Sequence, residues 1–231
     1  MLNTRKISMI HVGGFRPTGN PFASHFGLTP LGLPNEKWSA QSLSSGLGDQ
    51  EPKNLFFICQ LNLSEAPYVP EILSDIKLLT IFVNQDSKAS DTNFYHIRAY
   101  KSLENLIPMN VPEGATFDKG FEVSYELAKD NPYSDDPDLI IDKQIDRASP
   151  EYEEMIDKFD NRVCSKIGGY ASTIQGPVFD YYNHPANPKF CLQIDSESKV
   201  GLMWGDSGTF YLARGTAEGY EDQFFAEIQF F

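Results

Sequence analysis

The residues with the most overt chemical potential lie near the C-terminal end. Gly205-Asp206-Ser207-Gly208 imitates the turn that presents a serine nucleophile. Such a serine needs a histidine base and a carboxylate to orient that base. The four histidines are His11, His25, His96 and His184, and none stands in a setting typical of a catalytic base; Thr209 replaces the glycine that usually closes the turn. A hairpin turn is the better reading. Cys59, Cys164 and Cys191 offer a thiol nucleophile in principle. A reactive thiol needs cationic or helix-terminal surroundings, and FFICQL and KFCLQI provide neither.

Metal chemistry fares no better. No His or Cys pair has the close spacing of a zinc site. Asp135, Asp136, Asp138 and Asp142 could face a hard cation, but the twelve-residue calcium-loop pattern is missing, and a solvated acidic loop is expected. No catalytic residue, metal or cofactor is therefore expected. His25, in Ser24-His25-Phe26, reads as a histidine holding loop backbone.

The elements that position these residues follow from pattern. LFFICQLNL at 55–63 and LLTIFV at 78–83 are too short and too rich in β-formers for helices. Further strands are expected at 7–12, 93–100, 121–127, 190–195, 200–204, 209–213 and 224–231. The segment 16–54, rich in Gly, Pro, Ser and Asn, reads as a long ordered loop packed down by Phe22, Phe26, Leu31, Leu33 and Trp38. Short helices are expected at 70–76 and after Ser149. There Pro150 suits the first helical position, and Tyr152, Met155, Ile156 and Phe159 share one face. The fold class is α+β, mostly β, with antiparallel sheets and a few short helices.

One pattern occurs twice. His11-Val12-Gly13-Gly14-Phe15 parallels Lys166-Ile167-Gly168-Gly169-Tyr170, and Ile58-Cys59-Gln60-Leu61-Asn62 parallels Cys191-Leu192-Gln193-Ile194-Asp195. Side chains alternate along a strand, so Gln60 and Asn62 share a face, as do Gln193 and Asp195. Polar ligand contacts are one reading of the glutamines. The better one is a latch that satisfies nearby loop backbone, because a latch is needed in both halves.

Bulk properties narrow the function. Acids outnumber bases 32 to 19, for a net charge of −13. That charge repels phosphate backbones and anionic bilayers, so neither nucleic acid nor membrane is an expected partner. The imbalance is local: residues 113–162 hold fifteen acids and six bases. Three sparse cysteines and no apolar leader point to reduced thiols in the cytoplasm.

Lys166-Ile-Gly-Gly-Tyr, Leu192-Gln-Ile-Asp and Met203-Trp-Gly-Asp-Ser-Gly-Thr-Phe-Tyr, with Ser24-His25-Phe26-Gly27 upstream, resemble the YwqG-like family, a bacterial domain of unknown function. The resemblance covers roughly residues 11–231, with departures at Leu28, where a second glycine is usual, and at Ser39, where proline is usual. It implies a compact, largely β domain and brings no established catalytic residues. Some members of the family lie beside toxin and immunity genes.

These readings converge on an expectation. The chain is a single YwqG-like domain of two pseudo-repeats, about 7–100 and 163–231, joined by an acidic segment at about 101–162. It is a non-enzymatic cytosolic protein-binding module, of the kind that neutralises a basic toxin by occlusion, with Asp135, Asp136, Asp138 and Asp142 at the contact. The alternative is a small-molecule binder or an enzyme of unknown class. Its cleft would lie between the two halves, near His25, Trp204 and Asp206. The sequence fixes no oligomeric state.

Overall fold

The computed structural model describes residues 4–41, 44–45, 48–49, 53–84, 94–132, 150, 163–179 and 184–231. The strands of the main sheet are β1 (Arg5–Val12), β2 (His25–Phe26), β8 (Phe56–Asn62), β9 (Leu78–Val83), β10 (Tyr95–Tyr100), β12 (Phe121–Asp130), β13 (Lys166–Gly168), β14 (Lys189–Asp195), β15 (Thr209–Arg214) and β16 (Phe224–Gln229). Two-residue strands fill the gaps in chain order: β3 (Leu31–Gly32) pairs with β11 (Ile107–Pro108), β4 (Ala40–Gln41) with β7 (Lys53–Asn54), and β5 (Ser44–Ser45) with β6 (Gly48–Asp49).

The ten main strands form one antiparallel sheet, ordered β10-β9-β8-β2-β12-β1-β13-β14-β15-β16. It curls until its two edges approach. Tyr95 Oη on β10 donates to the Phe224 carbonyl on β16 at 3.0 Å, and the Phe94 and Phe210 rings meet edge to face. The result is a near-barrel. Its largest apolar cluster draws Ile10, Phe26, Ile58, Ile81, Ile194 and Phe210 from both ends of the sheet order.

The expected α+β class is thereby corrected to nearly all-β. Among the described residues there is no helix of seven or more residues; the helix expected at 70–76 is a single 3-10 turn, Glu71–Leu73. Three residues close one turn, and the chain must extend again at Leu78 to pair with β8. The helix expected after Ser149 lies outside the described residues, save Pro150. No described helix is long and apolar enough to cross a membrane. The strand expected at 200–204 is a turn. Glu197 and Leu202 exchange backbone hydrogen bonds, and Gly201 and Gly205 take positive φ, which breaks the extended path.

β8 and β9 are buried on both faces, and this explains their mostly apolar character, broken only by Gln60, Asn62 and Thr80. One face lines the near-barrel. The other is covered by the long segment before β8: Trp38 meets Phe57 and Phe82 edge to face, and Leu31 packs with Leu78 and Tyr100. Leu33, expected in that layer, is exposed.

Gln60 secures the cover. Its Oε1 accepts from Leu31 N at 2.8 Å, and its Nε2 donates to the Pro21 and Ala23 carbonyls at 3.0 Å. Asn62 Nδ2 donates to the Phe22 carbonyl. On β14, Gln193 Oε1 accepts from Ser172 N and Nε2 donates to the Cys164 carbonyl. Both glutamines are therefore loop latches. The ladders place the glycine turns differently from the sequence comparison. The residue opposite Gln60 is His25, and the residue opposite Gln193 is Lys166. Gly13 and Gly14 instead follow β1, whose end pairs with β12.

Candidate functional site

Antiparallel pairing gathers one set of strand ends. The starts of β8 and β10 and the end of β9 share one end of the sheet with the end of β14, the start of β15 and the end of β16. The near-barrel is open there, and a cleft of about 480 Å³ enters between the two ends of the sheet order. Phe56, Ile58 and Phe94 line one side; Trp204, Ile228 and Phe230 line the other. The volume lies in the range of small-molecule sites, and the mouth of a barrel is a common place for one.

Trp204 and Asn84 bring polar groups to this otherwise apolar lining. Trp204 is 5% exposed, and its ring stacks on Phe210 at 5.4 Å. Its backbone is pinned: Trp204 N donates to Ser196 Oγ at 3.0 Å, and Gly208 N donates to the Trp204 carbonyl at 2.7 Å. The turn closes on the C-terminal segment, where Phe231 N donates to the Asp206 carbonyl. Gly205 must be glycine. Its φ is +52°, and a Cβ would stand 2.6 Å from the Phe230 ring. The indole itself is unsatisfied: Nε1 is buried and has no hydrogen-bond partner among the described residues. A buried donor left alone costs about 1–3 kcal/mol.

Residues 24–214 match the family described as a domain of unknown function, DUF1963. The chain belongs to this family. No curated protein matches it. The DUF1963 region takes in the strands from β2 to β15, the Trp204 turn and both latch glutamines.

In this DUF1963 chain, the expected cleft trio does not assemble. Trp204 lines the cleft, while Asp206 is exposed on the rim of its turn and His25 is not among the lining residues. His25 is buried against Phe57, and burial lowers its imidazole to about 4, although contacts with Gly27, Thr29 and Glu122 oppose that. It is a neutral packing residue at ordinary pH. Asp135, Asp136, Asp138 and Asp142 lie outside the described residues.

The nucleophile motifs resolve into structure. Ser207 is exposed with a φ of +54°, and its Oγ lies 4.0 Å from Met203 Sδ. Burial raises the Cys59 thiol, and pushes the Cys191 thiol up to about 12. Both are inert as nucleophiles at neutral pH. Among the described residues, no three His, Cys, Asp or Glu side chains are grouped to hold a metal ion.

A buried polar cluster escaped the sequence reading. Lys166 Nζ and Asp130 Oδ2 form a fully buried ion pair at 2.9 Å. Lys166 also donates to Ser172 Oγ at 3.0 Å, and Asp130 Oδ2 accepts from Tyr170 N. A serine beside a lysine can be a catalytic dyad, but here the lysine is held by a carboxylate and Ser172 is 3% exposed. Nothing in the strand pattern marks Lys166 as buried, because its partner lies 36 residues away. Glu122 shows the opposite balance. Burial alone would raise its carboxyl, but the Thr18 and Gly19 N–H groups and the Thr18 hydroxyl outweigh this and lower it.

Proposed function

We propose that this protein is a non-enzymatic binding module whose ligand enters the mouth of the near-barrel. The observation that carries the reading is the Trp204 indole, unsatisfied among the described residues, in a cleft lined mostly by apolar side chains with Asn84 beside them. The ligand supplies an apolar body and one hydrogen-bond acceptor.

The apolar fluorophore N-phenyl-1-naphthylamine tests this. Its emission should rise saturably at one equivalent per chain, with a Kd of about micromolar order. Ile228→Glu puts a charge into the wall and should weaken binding by roughly tenfold or more. Met203→Glu, at an exposed lining position, should weaken it too while leaving the fold intact. No saturable signal, or equal binding by both folded variants, sinks the reading.

The finer assignments belong to the same proposal. The family position is YwqG-like. The chain is one domain of two pseudo-repeats, about 7–100 and 163–231, with an acidic connection at about 101–162. Two β-bulges support the duplication: they fall between Phe57 and Cys59 in one meander and between Phe190 and Leu192 in the other, each just ahead of its latch glutamine. A cytosolic location fits the three free cysteines.

The uneven charge favours a second reading, occlusion of a basic toxin by the segment around Asp135, Asp136, Asp138 and Asp142. A toxin encoded nearby should co-purify with the chain. Neutralising Asp135, Asp136 and Asp138 together should release it. If no such toxin binds and none is neutralised in cells, the occlusion reading fails.

A further inference from the structure

The apolar cleft opens into a second, shallower recess of about 490 Å³, with which it shares Phe56, Phe117 and Gly201. The remaining wall of the recess differs in kind: Thr116, Asp118, Lys119 and Lys199 contribute to it. In a chain of net charge −13, two lysines beside one acid run against the average. Distant acids weigh little here, because exposed charges are screened within about 8–10 Å at physiological salt. The local sign is positive.

The two lysines are differently prepared. Lys199 Nζ donates to the Val12 carbonyl at 2.7 Å, which fixes the ammonium while leaving donors to spare. Lys119 is exposed and makes no ion pair among the described residues. Val12 ends β1, and Phe121 just beyond Lys119 begins β12, so both lysines rise from the same end of the near-barrel as the Trp204 cleft.

We infer that the mouth binds a monomeric anionic amphiphile, with its apolar chain in the Trp204 cleft and its anionic head in the recess against Lys119 and Lys199. A medium-chain carboxylate has this chemistry. The inference rests on the binding reading above and adds the class of ligand. Shape sets the division: aromatic walls exclude water from the chain, and the open recess leaves the carboxylate partly hydrated, so its charge need not be stripped.

Decanoate and decanol, below the concentrations at which they aggregate, are titrated against the bound naphthylamine dye. Decanol leaves water more readily than decanoate, so a merely apolar cleft prefers the alcohol. The expected result is the reverse, with decanoate bound about three- to tenfold more tightly. That preference should shrink with added salt and vanish in a Lys119→Gln/Lys199→Gln variant that still binds decanol. Equal or tighter binding of decanol overturns the inference and leaves the cleft reading standing. Dye binding that neither compound displaces also overturns it. Failure of dye, alcohol and carboxylate together removes both. Binding to anionic vesicles without binding of monomeric decanoate overturns it in favour of a membrane surface.

Discussion

Replacing Lys166 by Met should cost the fold about 3–5 kcal/mol, the usual penalty for stranding one partner of a buried ion pair. The side chains of Lys166 and Asp130 are both fully buried, at 2.9 Å from each other. Burial disfavours the lysine charge and the Asp130 carboxylate opposes that, so each group depends on the other. Removing the ammonium leaves Asp130, which still accepts from Tyr170 N, with a charge to neutralise, and takes a donor from Ser172 Oγ. For a domain of this size the loss corresponds to a fall in Tm of roughly 10 °C. Urea unfolding of Lys166→Met, Asp130→Asn and the double variant measures it. The double variant should recover much of the loss, because no charge remains buried and Asn keeps an acceptor for Tyr170. A single variant that loses less than about 1 kcal/mol would place the pair in solvent.

The second large effect is on pH. The imidazole of His25 is pushed by burial from 6.5 to about 4. Between those values the unfolded chain binds a proton that the folded chain rejects, so stability falls as pH drops from about 6.5 to 4. The gap is worth about 3 kcal/mol. The slope isolates it. His25→Gln carries no titrating group, and the difference between the two proteins should grow through that window and level off below it. The lowered carboxyl of Glu122 acts in the same direction at lower pH: it contributes stability above its unfolded value that is lost as pH falls through its folded one. Most of that loss is common to both proteins, because the Thr18 and Gly19 groups that lower Glu122 remain and His25 is the smallest of its causes. Parallel curves for wild type and His25→Gln would refute the assignment.

Much of this fold was legible in the residues. Leu78–Val83 was readable to the residue because five of its six positions are apolar and Thr80 is a β-former, and Phe56–Asn62 because its aromatics and Ile exclude a short helix. The latch role of Gln60 was readable from its alternation with apolar neighbours. The turn at 200–204 was not, since Val200, Leu202 and Trp204 alternate as a strand would, and only the positive φ of Gly201 and Gly205 undoes it. The cleft was half legible. Trp204 stood out by type. Phe56, Phe94 and Ile228 read as ordinary core, because what exposes them is the approach of β10 to β16, more than a hundred residues apart. The placement of Gly13-Gly14 as the twin of Gly168-Gly169 followed letters, whereas the ladder sets His25-Phe26-Gly27 against β8.

The place of β1 has a consequence for how the chain is made. It pairs on one side with β12 and on the other with β13, so its two neighbours begin at Phe121 and Lys166. During synthesis the first strand must wait for most of the polypeptide, on the order of ten to thirty seconds at ordinary elongation rates. The β8-β9-β10 meander can form meanwhile, but the sheet cannot be joined across its middle until the last third is emerging. The N-terminal strand is a keystone set late, with β14, β15 and β16 still to follow, and a nascent chain stalled before residue 168 is left with an unpaired edge.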